Sequence, residues 1–134
     1  VNVIDSSLWV DYFRPKTPLS VKRQVDILVR APDIVLCEPI LFELLRAVTR
    51  APGKIVEQYF STIPVLSTPR GLWMDARLLG QRCATAGHLP RSMDLLIAQI
   101  CLHHQAVLTT FDHGFVCLSK VCSLRLNLLI RSSS

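Results

Sequence analysis

Short apolar runs alternate along this chain with longer stretches of helical periodicity, and that alternation leaves few folds open. Asn2 to Asp5 reads as a buried strand entering a helix at Ser6 to Phe13, which Pro15 and Pro18 end. Leu19 to Arg30 is helical, with Val21, Val25 and Leu28 at helical spacing, and Ala31-Pro32-Asp33 turns the chain into a second strand, Ile34 to Cys37. Pro39 suits a first helical position, so Ile40 to Thr49 is predicted as a helix, followed after Ala51-Pro52-Gly53 by another over Lys54 to Ser61. A third strand is expected at Pro64 to Ser67 and a long helix over Leu72 to Ala86, stopped by Gly87. Ser92 to His104 forms an apolar helix, Ala106 to Thr109 a fourth strand, Asp112 to Lys120 a short helix and Leu126 to Ile130 a fifth strand. Strands this short and apolar, separated by helices, build βα units and a parallel sheet covered on both faces.

The 134 residues make one domain, 1–134, and half of them are hydrophobic, with a mean hydropathy of +0.37. A chain of that make-up buries a real core, which excludes intrinsic disorder. Its longest apolar run, Leu95 to Leu102, is broken by Gln99 and is too short to span a bilayer. The opening Val-Asn-Val-Ile-Asp carries no secretory signal, so a soluble cytoplasmic protein without a membrane partner is expected. Cys37, Cys83, Cys101, Cys117 and Cys122 are odd in number and lack a C-x-x-C pair, which points to small buried hydrophobes in a reducing compartment. The net charge of +5 favours an anionic partner, although the basic residues are spread along the chain rather than clustered.

The acids are few, three Glu and seven Asp, and four of them fall where ligands bind in open parallel α/β folds, outside the carboxyl ends of strands. Asp5 ends the first strand and Asp112 follows the fourth. Glu43 lies one turn inside the helix after the second strand, and Asp94 in the first turn of the helix before the fourth. Each has an ordinary structural role open to it: Asp5 and Asp112 as helix caps, Asp94 complementing a helix dipole beneath a Ser92 cap, Glu43 pairing with Arg46 or Arg50. Four carboxylates on one sheet edge repel one another unless a cation neutralises them. The natural cation is Mg²⁺ or Mn²⁺, which takes oxygen ligands, polarises a phosphate and generates hydroxide at neutral pH. Glu38, five residues from Glu43, points to another side of the helix. Asp11, Asp26, Asp33, Asp75 and Glu57 fall on helix surfaces or in turns and are set aside.

Val3-Ile4-Asp5-Ser6-Ser7, Glu43 in Ile40-Leu41-Phe42-Glu43-Leu44-Leu45, Asp94 in Asp94-Leu95-Leu96-Ile97-Ala98, and Leu108-Thr109-Thr110-Phe111-Asp112-His113-Gly114-Phe115 together resemble the PIN domain. More narrowly, they resemble the VapC-type ribonuclease toxins of toxin–antitoxin pairs. The resemblance runs over essentially the whole chain, in order. It implies a three-layer α/β/α sandwich with a five-stranded parallel sheet. It also implies a Mg²⁺- or Mn²⁺-dependent endoribonuclease with Asp5, Glu43, Asp94 and Asp112 as catalytic and metal-binding acids. Hydrolysis would leave a 5′-phosphate and a 3′-hydroxyl on the RNA. Thr110 and Ser7 match supporting hydroxyl positions, with local backbone hydrogen bonds as their ordinary alternative. By the same likeness, the partners are an RNA substrate, a small antitoxin and a second copy in a homodimer. Two positions depart from the family: Gly114 stands where a further Asp is common, which favours one metal over two, and Glu38 where a small hydroxyl residue often opens the helix.

Other chemistries fit less well. Neither a G-x-x-x-x-G-K-[ST] nor a G-x-G-x-x-G motif occurs, and His103 and His104 point about 100° apart on a helix, which makes them poor joint zinc ligands. A phospho-receiver domain needs an acid after a central strand, and the third strand ends Leu66-Ser67-Thr68. A PIN-like module that binds RNA or protein without cutting is the remaining alternative. Trp9, Tyr12, Phe13 and Trp73 suit either a partner groove or ordinary helix packing.

Overall fold

The structure, a computed structural model, describes residues 1–46 and 51–133, with the backbone alone at 51–53. Four parallel strands, β1 (Asn2–Ile4), β2 (Ile34–Val35), β3 (Val107–Thr110) and β4 (Arg125–Leu128), form one sheet in the order β2-β1-β3-β4. Helices α1 (Ser6–Phe13) and α2 (Leu19–Val29) join β1 to β2. Then α3 (Glu38–Leu45), α4 (Ala51–Phe60), α5 (Leu72–Thr85) and α6 (Ser92–His104) lead back to β3, and α7 (Val116–Val121) precedes β4. The result is the expected α/β/α layering, with helices flanking a parallel sheet. No helix among the described residues is long and apolar enough to cross a membrane.

Among the described residues the sheet has four strands rather than the expected five. Pro64 to Ser67 lies beside β2, but pairs only through a parallel bridge between Leu36 and Val65, with Leu36 N–H donating to Pro64 O and Leu66 N–H to Leu36 O, both at 2.8 Å. Proline has no N–H to give a ladder, so this edge segment stops short of a strand. The helix expected over Asp112 to Lys120 opens instead as a 3₁₀ turn, His113–Phe115, before α7. Pro52 and Gly53 fall within the first turn of α4 rather than ahead of it, which proline tolerates because that N–H has no helical partner. The extension of α3 to Thr49 and the Glu43–Arg50 pairing lie outside the described residues.

What matters for the site is how β1 ends. Val3, Ile4, Leu8 and Trp9 are fully buried. The Trp9 indole donates to Ile4 O at 3.1 Å, tying α1 back onto the last residue of β1. Trp9 also packs edge-on against Phe60 at 5.0 Å and Tyr59 at 5.9 Å, so this aromatic is core, as are its contacts with Tyr12 and Phe13. Trp73, by contrast, is 76% exposed. The backbone N–H of Asp5 donates to Thr109 O at 3.0 Å, so β1 and β3 are still paired where the chain turns into α1. All five cysteines are free, and burial pushes the Cys37 thiol up to about 12, a small hydrophobe in practice.

Candidate active site

The strand order places a switch point at β1: the chain leaves it toward β2 on one side and later returns to β3 on the other. The crevice outside the carboxyl ends of β1 and β3 is a cavity of about 280 Å³. Asp5, Glu43, Asp94 and Asp112 all line it, together with Ser6, Ser7, Val10, Asp11, Arg14, Arg91 and Arg131. Each acid comes from a different segment: Asp5 from the end of β1, Glu43 from α3, Asp94 from the first turn of α6, Asp112 from just after β3. Glu38 faces elsewhere, in a separate apolar groove with Phe42 and Trp73.

The structural roles weighed for these acids hold only in part. Asp5 stands at the head of α1 without capping it, because its carboxylate is used otherwise. Ser7 Oγ donates to Asp5 Oδ2 at 2.9 Å and Thr110 Oγ1 to the same oxygen at 2.7 Å. Ser7 Oγ accepts from Phe111 N–H at 3.2 Å and Thr110 Oγ1 from Asp112 N–H at 2.8 Å. Backbone and hydroxyls thus point both donors at one Asp5 oxygen, and Oδ1 takes no hydrogen bond among the described residues. Asp112 does cap the 3₁₀ turn, accepting from Gly114 N–H at 2.8 Å through Oδ1. Arg91, not Ser92, occupies the cap position of α6.

Charge is unevenly shared. In a chain of net +5, this cavity gathers five carboxylates against three guanidiniums. Burial pushes the Glu43 carboxyl above its ordinary value, and the charges of Asp5 and Asp94 push the same way. Asp94, with a side chain 10% exposed, is raised by burial and by Asp112 and Asp5, against the pull of Arg91. Arg91 Nη2 lies 2.6 Å from Asp112 Oδ2, and its Nε 3.3 Å from Asp94 Oδ2.

Residues set aside in the sequence also belong here. Asp11 is buried rather than on a helix surface, and accepts from Arg131 Nε at 2.8 Å. The Arg131 guanidinium sits 4.5 Å over the Phe111 ring. It is carried there by the segment after β4, which Gln24 of α2 pins through Ile130 O and Ser132 N–H at 2.8 and 2.9 Å. Helical spacing was the available signal for Asp11: Ser7, Val10 and Asp11 form one stripe of α1, and Arg14 follows at its C-cap. Nothing in the sequence marked Arg91 or Arg131.

A parallel α/β protein with an acidic crevice at its switch point is the class that fold and cavity define. The chain belongs to the PIN domain family, whose model matches residues 3–121. Ribonuclease VapC11 of Mycobacterium tuberculosis is 29% identical over 127 residues, covering 92% of this chain and 95% of its own length. The same fold occurs in VapBC2 from Rickettsia felis bound to a DNA fragment from its promoter, with a TM-score of 0.74 at 18% identity, covering 96% of this chain and 98% of that one. It occurs also in VapBC-5 of the VapBC family of toxin–antitoxin systems, from Mycobacterium tuberculosis, with a TM-score of 0.67 at 18% identity and the same coverage. Membership of the PIN family removes the phospho-receiver reading.

Proposed function

We propose that this chain, a single PIN domain, is a metal-dependent endoribonuclease and the toxin of a toxin–antitoxin pair. The observation that carries the reading is the set of four acids, Asp5, Glu43, Asp94 and Asp112, lining one cavity at the switch point of a PIN-family sheet. Kinship with a ribonuclease named VapC supports RNA as substrate, and likeness to a member of the VapBC family of toxin–antitoxin systems supports an antitoxin as partner; a second copy of the chain in a homodimer is part of the same proposal.

The donor set fits a hard divalent ion, Mg²⁺ or Mn²⁺. It offers oxygen ligands, leaves Asp5 Oδ1 free of hydrogen bonds, and already draws a cation, the Arg91 guanidinium, between Asp94 and Asp112. Among the described residues no three acid, imidazole or thiol groups stand close enough to close on one ion by themselves. Mg²⁺ needs only one or two carboxylates and keeps several waters, so that spacing suits it. When bound, such an ion supplies an activated water and neutralises charge on the scissile phosphate.

The chain's own residues do the rest. Asp5, Asp94 and Glu43 would hold the ion, partly through its waters, and Asp112 would complete the set. Ser7 and Thr110 fix the Asp5 carboxylate in one orientation. Arg14 and Arg131, on the cavity wall, hold the RNA backbone by its phosphates. In-line hydrolysis leaves a 5′-phosphate and a 3′-hydroxyl.

The test is cleavage of total RNA by the purified, antitoxin-free protein with Mg²⁺, Mn²⁺ or EDTA, beside Asp5→Asn and Asp94→Asn. Discrete metal-dependent products, reduced about 10²–10³-fold in both folded variants, are expected. Equal cutting by Asp5→Asn overturns the assignment of the acidic site, and no cutting by the parent with either metal favours a silent binding module.

A further inference from the structure

Arg91 stands apart from the other cations of the cavity. Arg131 is tied to Asp11, which is not one of the four acids, whereas Arg91 spans two that are. It divides its fork, giving Nη2 to Asp112 at 2.6 Å and Nε to Asp94 at 3.3 Å, and so bridges two carboxylates that come from different segments of the chain. Nothing holds the guanidinium from behind: its side chain is 74% exposed, and these two ion pairs are its only salt bridges among the described residues. Arg91 is the N-cap residue of α6, extended at φ −64° and ψ 149°, so the side chain starts from a defined backbone position.

The surroundings leave room for it. Gly114 has no side chain, and a Cβ there would stand 3.0 Å from Asp112 Oδ1 and 3.5 Å from Asp94 Oδ2. A third carboxylate at that place would compete for the same charge; here the guanidinium faces only two.

We propose that Arg91 is a displaceable internal counter-ion: it neutralises Asp94 and Asp112 in the metal-free protein, and a divalent ion must dislodge it to load the site. The inference rests on the proposed metal-binding reading of those two acids. A divalent ion and a guanidinium cannot share the same two oxygens, because their charges repel at ion-pair distance. An exposed ion pair is weak enough to be exchanged rather than locked. Arg91 therefore sets the metal concentration at which the site fills.

The experiment is calorimetric titration of the full chain with MnCl₂ alone, without RNA, for the parent, Arg91→Gln, Arg91→Lys and Asp5→Asn. Thermal unfolding of each is followed with and without metal. Arg91→Gln should bind Mn²⁺ about tenfold more tightly than the parent, the size of one lost charge-assisted competitor. Arg91→Lys, whose single ammonium cannot fork to both acids, should fall between them. In EDTA, Arg91→Gln should melt below the parent, yet gain more from Mn²⁺, because stabilisation follows affinity. Tight, Asp5-dependent binding by the parent, with unchanged or weaker binding by folded Arg91→Gln, overturns the counter-ion role and leaves the metal site standing. Absence of Mn²⁺ binding in parent and Arg91→Gln alike overturns both.

Discussion

Thr110 and Asp5 are 105 residues apart in the chain, yet Thr110 Oγ1 donates to Asp5 Oδ2 at 2.7 Å while accepting from the Asp112 N–H at 2.8 Å. One buried hydroxyl thereby joins two of the four acids through a single atom. It can do so because β1 and β3 are neighbours in register, Ile4 opposite Thr109.

Thr110→Val keeps the shape and β-propensity of the side chain but removes both hydrogen bonds. It should cost about 1–3 kcal/mol of stability, because the Asp112 N–H is left unpaired. It should also lower cleavage about 10–100-fold, as loss of a group orienting a metal-binding acid does. Urea unfolding and RNA cleavage of the same preparation check both. Stability and cleavage equal to the parent would mean that the hydroxyl positions nothing.

Glu43 gives a pH signature. Its carboxyl is raised above the ordinary 4.5, first by burial and then by Asp5 and Asp94, so the native state binds that proton more tightly than the unfolded chain does. Glu43's contribution to metal-free stability is therefore fully present at low pH and is lost as pH rises from the ordinary value through the raised one. Glu43→Gln should flatten this slope and raise the melting temperature in EDTA at pH 7.5 by about 2–4 °C. Cleavage should fall in the same variant. A lower melting temperature in EDTA would show that the charge at Glu43 is stabilising and the repulsion argument wrong.

Arg131 is proposed to hold the RNA backbone. With Asp5→Asn as a non-cutting background, Arg131→Gln should weaken RNA binding and reduce the salt dependence of log K by about one unit per log unit of salt. Filter binding from 50 to 300 mM KCl, about the range over which counterion release is easily resolved, gives the slope. An unchanged slope would confine Arg131 to its contacts with Asp11 and Phe111.

Much of this architecture is legible in local patterns. Ser6–Phe13 and Ser92–His104 emerge with their boundaries because Pro15 and Pro18 end one and the apolar periodicity of the other breaks at Gln105. Gln105 takes a left-handed conformation there, at φ 53°. The edge segment at Pro64 was harder, since a run of β-formers does not reveal how many hydrogen bonds its neighbour will accept. The gathering of Asp5, Glu43, Asp94 and Asp112 follows from strand ends and strand order, both of which leave traces in sequence. The cations do not. Arg131 reaches Asp11 from 120 residues away, along a tail whose path depends on Gln24, and no periodicity encodes that approach.

The position of β1 in the middle of the sheet has a consequence for synthesis. A ribosome delivers Asp5 first, but the strand that follows it, β2, completes only one side of the sheet. The other side, with Thr110, Asp112 and then Arg131, is made only about a hundred residues later. A chain that stops before β3 accordingly carries Asp5, Glu43 and Asp94 without Thr110 or Asp112, three acids with no cavity closed around them.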